Sequence, residues 1–164
     1  MNLNIVFRIL SFVLMPIAIL LGMVDILALS AAMANPQMLL PVFIVATVVM
    51  YTFSSFRFYR SGIIGGKTFS KKTKDFIKVN GYVALGFSIL SLVQGFMALF
   101  SKKAIQQMLD TYKKMAEANA ISGDKATNVL YVSIAISIIF SLILISHIVI
   151  CFKFLKQYEN KFVD

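Results

Sequence analysis

The chain has 164 residues, 59% of them hydrophobic, with a mean hydropathy of +0.85 and only 14% charged. A soluble domain of this size carries far more charge, so the composition excludes one and indicates an integral membrane protein. The 16 Lys/Arg outnumber the 7 Asp/Glu, but they gather in short stretches beside apolar runs, which excludes a nucleic-acid footprint and points to anionic lipid headgroups.

The first apolar run, Ile9 to Val24, is interrupted by Asp25 and resumes from Ile26 to Phe56, too long for one helix. Pro36 removes a backbone donor and pushes Asn35 out of helical geometry, so a tight turn is expected near residues 33–38. The result is two spans, at about 6–32 and 38–58, in an antiparallel hairpin. Pro41 falls in the first turn of the second span, where its missing donor costs nothing. Pro16 lies inside the first span, frees the carbonyl of Phe12 and predicts a kink. Ala32-Met33-Ala34 has the small-x-small form of a signal-peptide cleavage site. Against that reading, no charge precedes Arg8 and an equally apolar span follows at once.

Residues 57–78 read as a basic loop: Arg57, Arg60, Lys67, Lys71, Lys72, Lys74 and Lys78 face a single acid, Asp75. By the positive-inside rule this loop is cytoplasmic. Gly62, Gly65 and Gly66 predict a flexible middle, a solvated connector touching lipid. Ser61 to Thr68 brushes against the phosphate-binding loop motif. That motif needs Gly where Ser61 stands and a strand-loop-helix docked on a sheet, which two membrane spans do not offer.

The third span, about 79–101, is uncharged and apolar on all sides. Gly81, Ala84, Ser88, Ser91, Gly95 and Ala98 recur along it at helical spacing. In lipid there is little hydrophobic drive between helices, so a seam of small side chains that lets backbones approach marks this helix as the central packing surface. Residues 102–120 then form an amphipathic pattern, with Ile105, Met108, Leu109, Tyr112, Met115 and Ala116 opposite Lys103, Asp110, Lys113, Lys114 and Glu117. An extracytoplasmic helix lying on the bilayer or over the mouth of the bundle is expected. The fourth span, about 129–152, carries Ser133, Ser137 and Ser141 at four-residue intervals, the expected partner of the seam. Four spans place both termini on the side of the basic loop, in the cytoplasm, together with Lys153, Lys156 and Lys161 of the tail.

Few residues offer chemistry. An acid inside an apolar helix costs roughly 2.5–3.5 kcal/mol at its centre, so Asp25 should face protein. It shares a stripe with Ser11, Ala18, Gly22 and Ala32, and helical rise places Gln94 on the same side of the bilayer as its candidate partner. His147 has only Cys151 at i+4, and two ligands do not make a metal site. The single cysteine also excludes an intramolecular disulfide. One embedded acid cannot form a paired-carboxylate centre.

The expected protein is therefore an all-α integral membrane four-helix bundle, residues 1–164 forming one domain in the cell membrane. It has no catalytic, cofactor or metal site. Its expected role is that of an accessory, scaffolding or assembly component, with the lipid bilayer and a homo-oligomer or larger membrane complex as partners. The alternative is a small ion- or proton-coupled transporter using Asp25 and Gln94.

Overall fold

The computed structural model describes residues 3–101, 103, 105–111 and 123–163, with side chains of the last stretch from Thr127 onward. It is an all-α fold. Helix α1 spans Leu3–Ala34, α2 Leu39–Arg57, α3 Lys71–Phe100 and α4 Gly123–Gln157. Each belongs to a helical segment long and apolar enough to cross a membrane: Leu3–Ala34, Pro36–Ile64, Lys71–Phe100 and Thr127–Gln157. Phe12, 80% exposed, and Ile26 and Leu27, both 72% exposed, are the outward apolar surface that such helices present to lipid.

The α1–α2 turn is built by its two central residues. Asn35 adopts an extended conformation, its side chain accepts a hydrogen bond from the Gln37 amide at 3.2 Å, and Pro36–Met38 form a single 3-10 turn. Beyond Arg57 the helix widens into a π-helical turn, Phe58–Ile64. The Gly65 amide closes it on the Arg60 carbonyl at 3.1 Å, and Gly66 takes the left-handed φ of 70° that lets the chain reverse.

The basic stretch 57–78 is thus mostly helical, not a flexible connector. Only residues 65–70 lie between helices, and Gly62 is wedged where a Cβ would come within 3.0 Å of the Phe69 ring. A helix satisfies its own backbone whatever its side chains, so the polar flanks prolong each apolar span. Lysines in the first turn of α3 oppose the helix dipole, and local and tertiary contacts hold that end instead. Ile77 is fully buried, and Ser70 hydrogen-bonds Thr73 at 3.1 Å.

Two compact units divide the chain, residues 1–87 with 143–164 and residues 88–142. In the first, α1 packs beside α2, with Gly22 facing Val49. Short strands β1 (Phe69–Ser70) and β2 (Phe162–Val163) pair in parallel and fasten the tail to the 65–70 connection. Phe162 stacks on Phe58 at 5.0 Å, Lys74 pairs with Glu159 at 2.5 Å, and Lys161 donates to the Gly66 carbonyl at 3.3 Å. Lys74 holds the Glu159 carboxyl below its usual range.

In the second unit, Ala98, Leu130 and Ile134 form a buried cluster joined by Ile105, Leu109 and Ile138. Residues 105–111 are helical, with Ile105 and Leu109 packed against this cluster and Met108 exposed. Tyr112, Lys113, Lys114, Met115, Ala116 and Glu117 of the expected amphipathic helix lie outside the described residues. Along α3, Gly81, Ala84, Ser88, Gly95 and Ala98 are buried and Ser91 half-buried. The residue α4 sets against Gly95 is Ile138, not a serine: a Cβ at Gly95 would lie 2.7 Å from Ile138 Cγ1. Ser133 is exposed and returns its hydroxyl to the Val129 carbonyl at 2.8 Å.

Overpacking a filled site costs about 1–3 kcal/mol. Gly95→Ala is expected to lower stability by that amount in detergent unfolding, and Ile138→Ala in the same chain should recover part of it. A Gly95→Ala protein as stable as the parent would show that the contact is loose.

Candidate functional site

The polar core of the first unit is assembled from i, i+4 pairs on three helices: Phe7 and Ser11 on α1, Tyr51 and Ser55 on α2, His147 and Cys151 on α4. Such pairs project from one helix face, so each helix delivers two side chains to the same place. His147 is at the centre and fully buried. Its Nε2 lies 3.0 Å from Ser11 Oγ and its Nδ1 lies 2.9 Å from the Tyr51 hydroxyl. Phe7 stacks on the imidazole at 4.2 Å, and Tyr51 meets it edge-on at 5.6 Å. The Ser55 hydroxyl and Cys151 thiol sit beside the same phenol oxygen.

Helix α3 reaches this core through Gly81, where a Cβ would lie 2.9 Å from the Phe152 ring and 3.3 Å from Tyr51. Glycine here is a matter of close approach. Phe154 and Tyr59 complete the aromatic wall around Phe7, and the Tyr59 hydroxyl donates to the Asn4 carbonyl at 3.0 Å.

Chemically the arrangement suits a neutral imidazole, with one nitrogen donating and the other accepting. Either tautomer satisfies both neighbours, because serine and tyrosine hydroxyls each donate or accept. No carboxylate belongs to the cluster, and both Tyr51 and Cys151 are fully buried. Among the described residues no group of three His, Cys, Asp or Glu is placed to hold a metal ion. What the cluster does is join three helices through two hydrogen bonds to one ring.

The residues singled out in the sequence fall in different places. Ser11, Ala18 and Ala32 of the Asp25 stripe are buried, while Gly22 and Asp25 are half-buried. Among the described residues Asp25 makes no hydrogen bond or ion pair with a side chain. Gln94 belongs to the second unit, where it stands exposed on the wall of a 530 Å³ cavity lined also by Met97, Gln107 and Met108. In the same unit Ser141 Oγ is buried with no hydrogen-bond partner among the described residues. Sequence reasoning found His147 and Cys151 but missed Tyr51 and Ser55. It placed Ser11 with Asp25 where the structure places it with His147.

No protein family, curated protein or solved structure matches the chain. The site's chemistry therefore rests on its own geometry.

A buried polar group stripped of its partner costs about 1–3 kcal/mol, although interhelical hydrogen bonds in membranes average only about 0.6 kcal/mol. Tyr51→Phe, which leaves His147 Nδ1 unpaired, is expected to fall between these figures in an unfolding titration. Combined with His147→Phe it should cost less than the two separate losses. Additive losses would mean that the hydroxyl and the ring act independently.

Proposed function

We propose that this is a small polytopic membrane protein that works by contact, without catalysis, as an accessory, scaffolding or assembly component. Its helices engage other helices and lipid through their outward apolar faces. The small residues of α3 serve the fold itself, since Gly81 and Gly95 are filled from within the chain.

The observation that carries this reading is the ordered basic end. Arg57, Arg60, Lys67, Lys71, Lys72 and Lys153 are all exposed there. The β1–β2 pairing, the Phe58–Phe162 stack and the Lys74–Glu159 pair hold the backbone beneath them. A stiff surface with this excess of cations suits docking to anionic headgroups or to an acidic partner better than a floppy linker does. The positive-inside rule puts this end and both termini in the cytoplasm.

Purification in mild detergent is expected to bring down a larger membrane complex, and a membrane-impermeant amine reagent should leave Lys71 and Lys72 unmodified in intact cells. Recovery of an unpartnered monomer would defeat the contact role. Labelling from outside would reverse the orientation.

A second reading, an ion- or proton-coupled transporter centred on Asp25 and Gln94, draws support from the half-buried acid in an otherwise apolar span. On that reading Asp25→Asn abolishes coupled uptake with expression unchanged. A variant indistinguishable from the parent removes it.

A further inference from the structure

We propose that the groove between α1 and α2, at the arginine-bearing end of the first unit, binds one anionic phospholipid, with its phosphate between Arg8 and Arg60 and an acyl chain laid along α1. The groove holds about 420 Å³ and is lined by both arginines together with Phe12, Met15, Ile19 and Phe56 among others. That volume lies in the range of about 300–1,000 Å³ typical of small-ligand sites.

Its shape follows from the helix repeat. Arg8, Phe12, Met15 and Ile19 lie at i, i+4, i+7 and i+11, one face of α1 over about 16 Å of rise. Between Arg8 and Asp25 that helix carries no charge, so the groove runs from a cation into hydrocarbon. On the π-helical turn that follows α2, the bond from the Tyr59 hydroxyl to the Asn4 carbonyl sets the level of the neighbouring Arg60 beside the first turns of α1. Both guanidiniums are exposed, and among the described residues no carboxylate pairs with either.

Two planar guanidiniums are suited to a phosphate, which each can hold with two parallel N–H···O bonds. A soluble phosphate would leave the apolar wall unused. A helix from another protein would leave the arginines unpaired unless it brought acids to the same level. One amphiphile with an anionic head and an alkyl chain uses both halves. This inference rests on placing the basic end at the headgroup level, as in the functional reading above. Its test needs only the purified chain and lipid, so it stands or falls apart from any larger complex.

The full chain would be reconstituted in phosphatidylcholine nanodiscs containing a minor fraction of phosphatidylglycerol with a photoreactive acyl chain. Crosslinks would be mapped, and lipid retained after transfer to mild detergent counted by native mass spectrometry. The expected result is one phosphatidylglycerol retained per chain, with label on α1 between Phe12 and Ile19. Arg8→Gln with Arg60→Gln should reduce retention about tenfold. Lys71→Gln with Lys72→Gln, an equal loss of charge at the same end, should change it less than about twofold. Met15→Trp, which fills the groove and leaves every charge in place, should also expel the lipid, and it serves if the arginine pair fails to fold. Equal losses from both charge variants, equal retention of phosphatidylcholine, label scattered over other helices, or a second copy crosslinked through the groove would each overturn the proposal.

Discussion

In a medium that cannot hydrogen-bond, a polar side chain must find its partner within the protein, and here the His147 ring finds two on other helices. Ser11 on α1 and Tyr51 on α2 take the two ring nitrogens, and Phe7 closes over the ring face. Because donor and acceptor directions lie in the plane of an imidazole and diverge, the two bonds constrain α1 and α2 in rotation as well as distance. Leucine contacts alone would tolerate a slide of a turn or a rotation of tens of degrees, since lipid tails compete with any apolar face. The basic end of the first unit is built on helices held in that register.

Close approach is the second constraint, and it takes the same form in both units. On α3, Gly81 admits the ring of Phe152 and Gly95 admits the branched chain of Ile138. The two glycines are two heptads apart on α3, as are their partners on α4. A large side chain seated in the notch left by a missing Cβ gathers dispersion contacts on all sides. Two facing stripes of serine would bring backbones close but leave hydroxyls to be satisfied. Ser133 shows the usual way out, bonding back to its own helix.

Much of the fold was legible in the sequence. Four apolar stretches and Asn35-Pro36 define the spans and their first turn, and the period of small residues on α3 picks out its inward face. These are properties of one helix at a time. The partners of His147 were not legible, because Ser11 and Tyr51 are unremarkable within their own apolar runs and only interhelical register brings them to the ring. The same limit applies to Ile138, since pairing small with small is a rule about averages and Gly95 is an individual contact. The lysines and glycines of 57–78 suggested a loose loop for a related reason. Composition reports solvation, whereas Phe58, Phe69 and Phe162 meet only through a contact between the middle of the chain and its tail.

That last contact changes what a basic end is. Seven cations on a mobile loop would attract anionic lipid through a diffuse field, screened beyond about 8 Å at physiological salt and indifferent to position. On helices pinned by a strand pair and an aromatic stack, each cation has an address, and recognition becomes a matter of geometry as well as charge. The contrast between Lys74 and Arg60 makes the point. Lys74 lies against Phe162 and is paired with Glu159, so its charge goes to holding the tail. Arg60, with no carboxylate paired to it among the described residues, is left facing an apolar groove it shares with Arg8. A bilayer supplies anions only at the headgroup level and chains only beneath it. A cation fixed above an apolar groove is therefore complementary to the membrane in depth, which a net charge by itself is not.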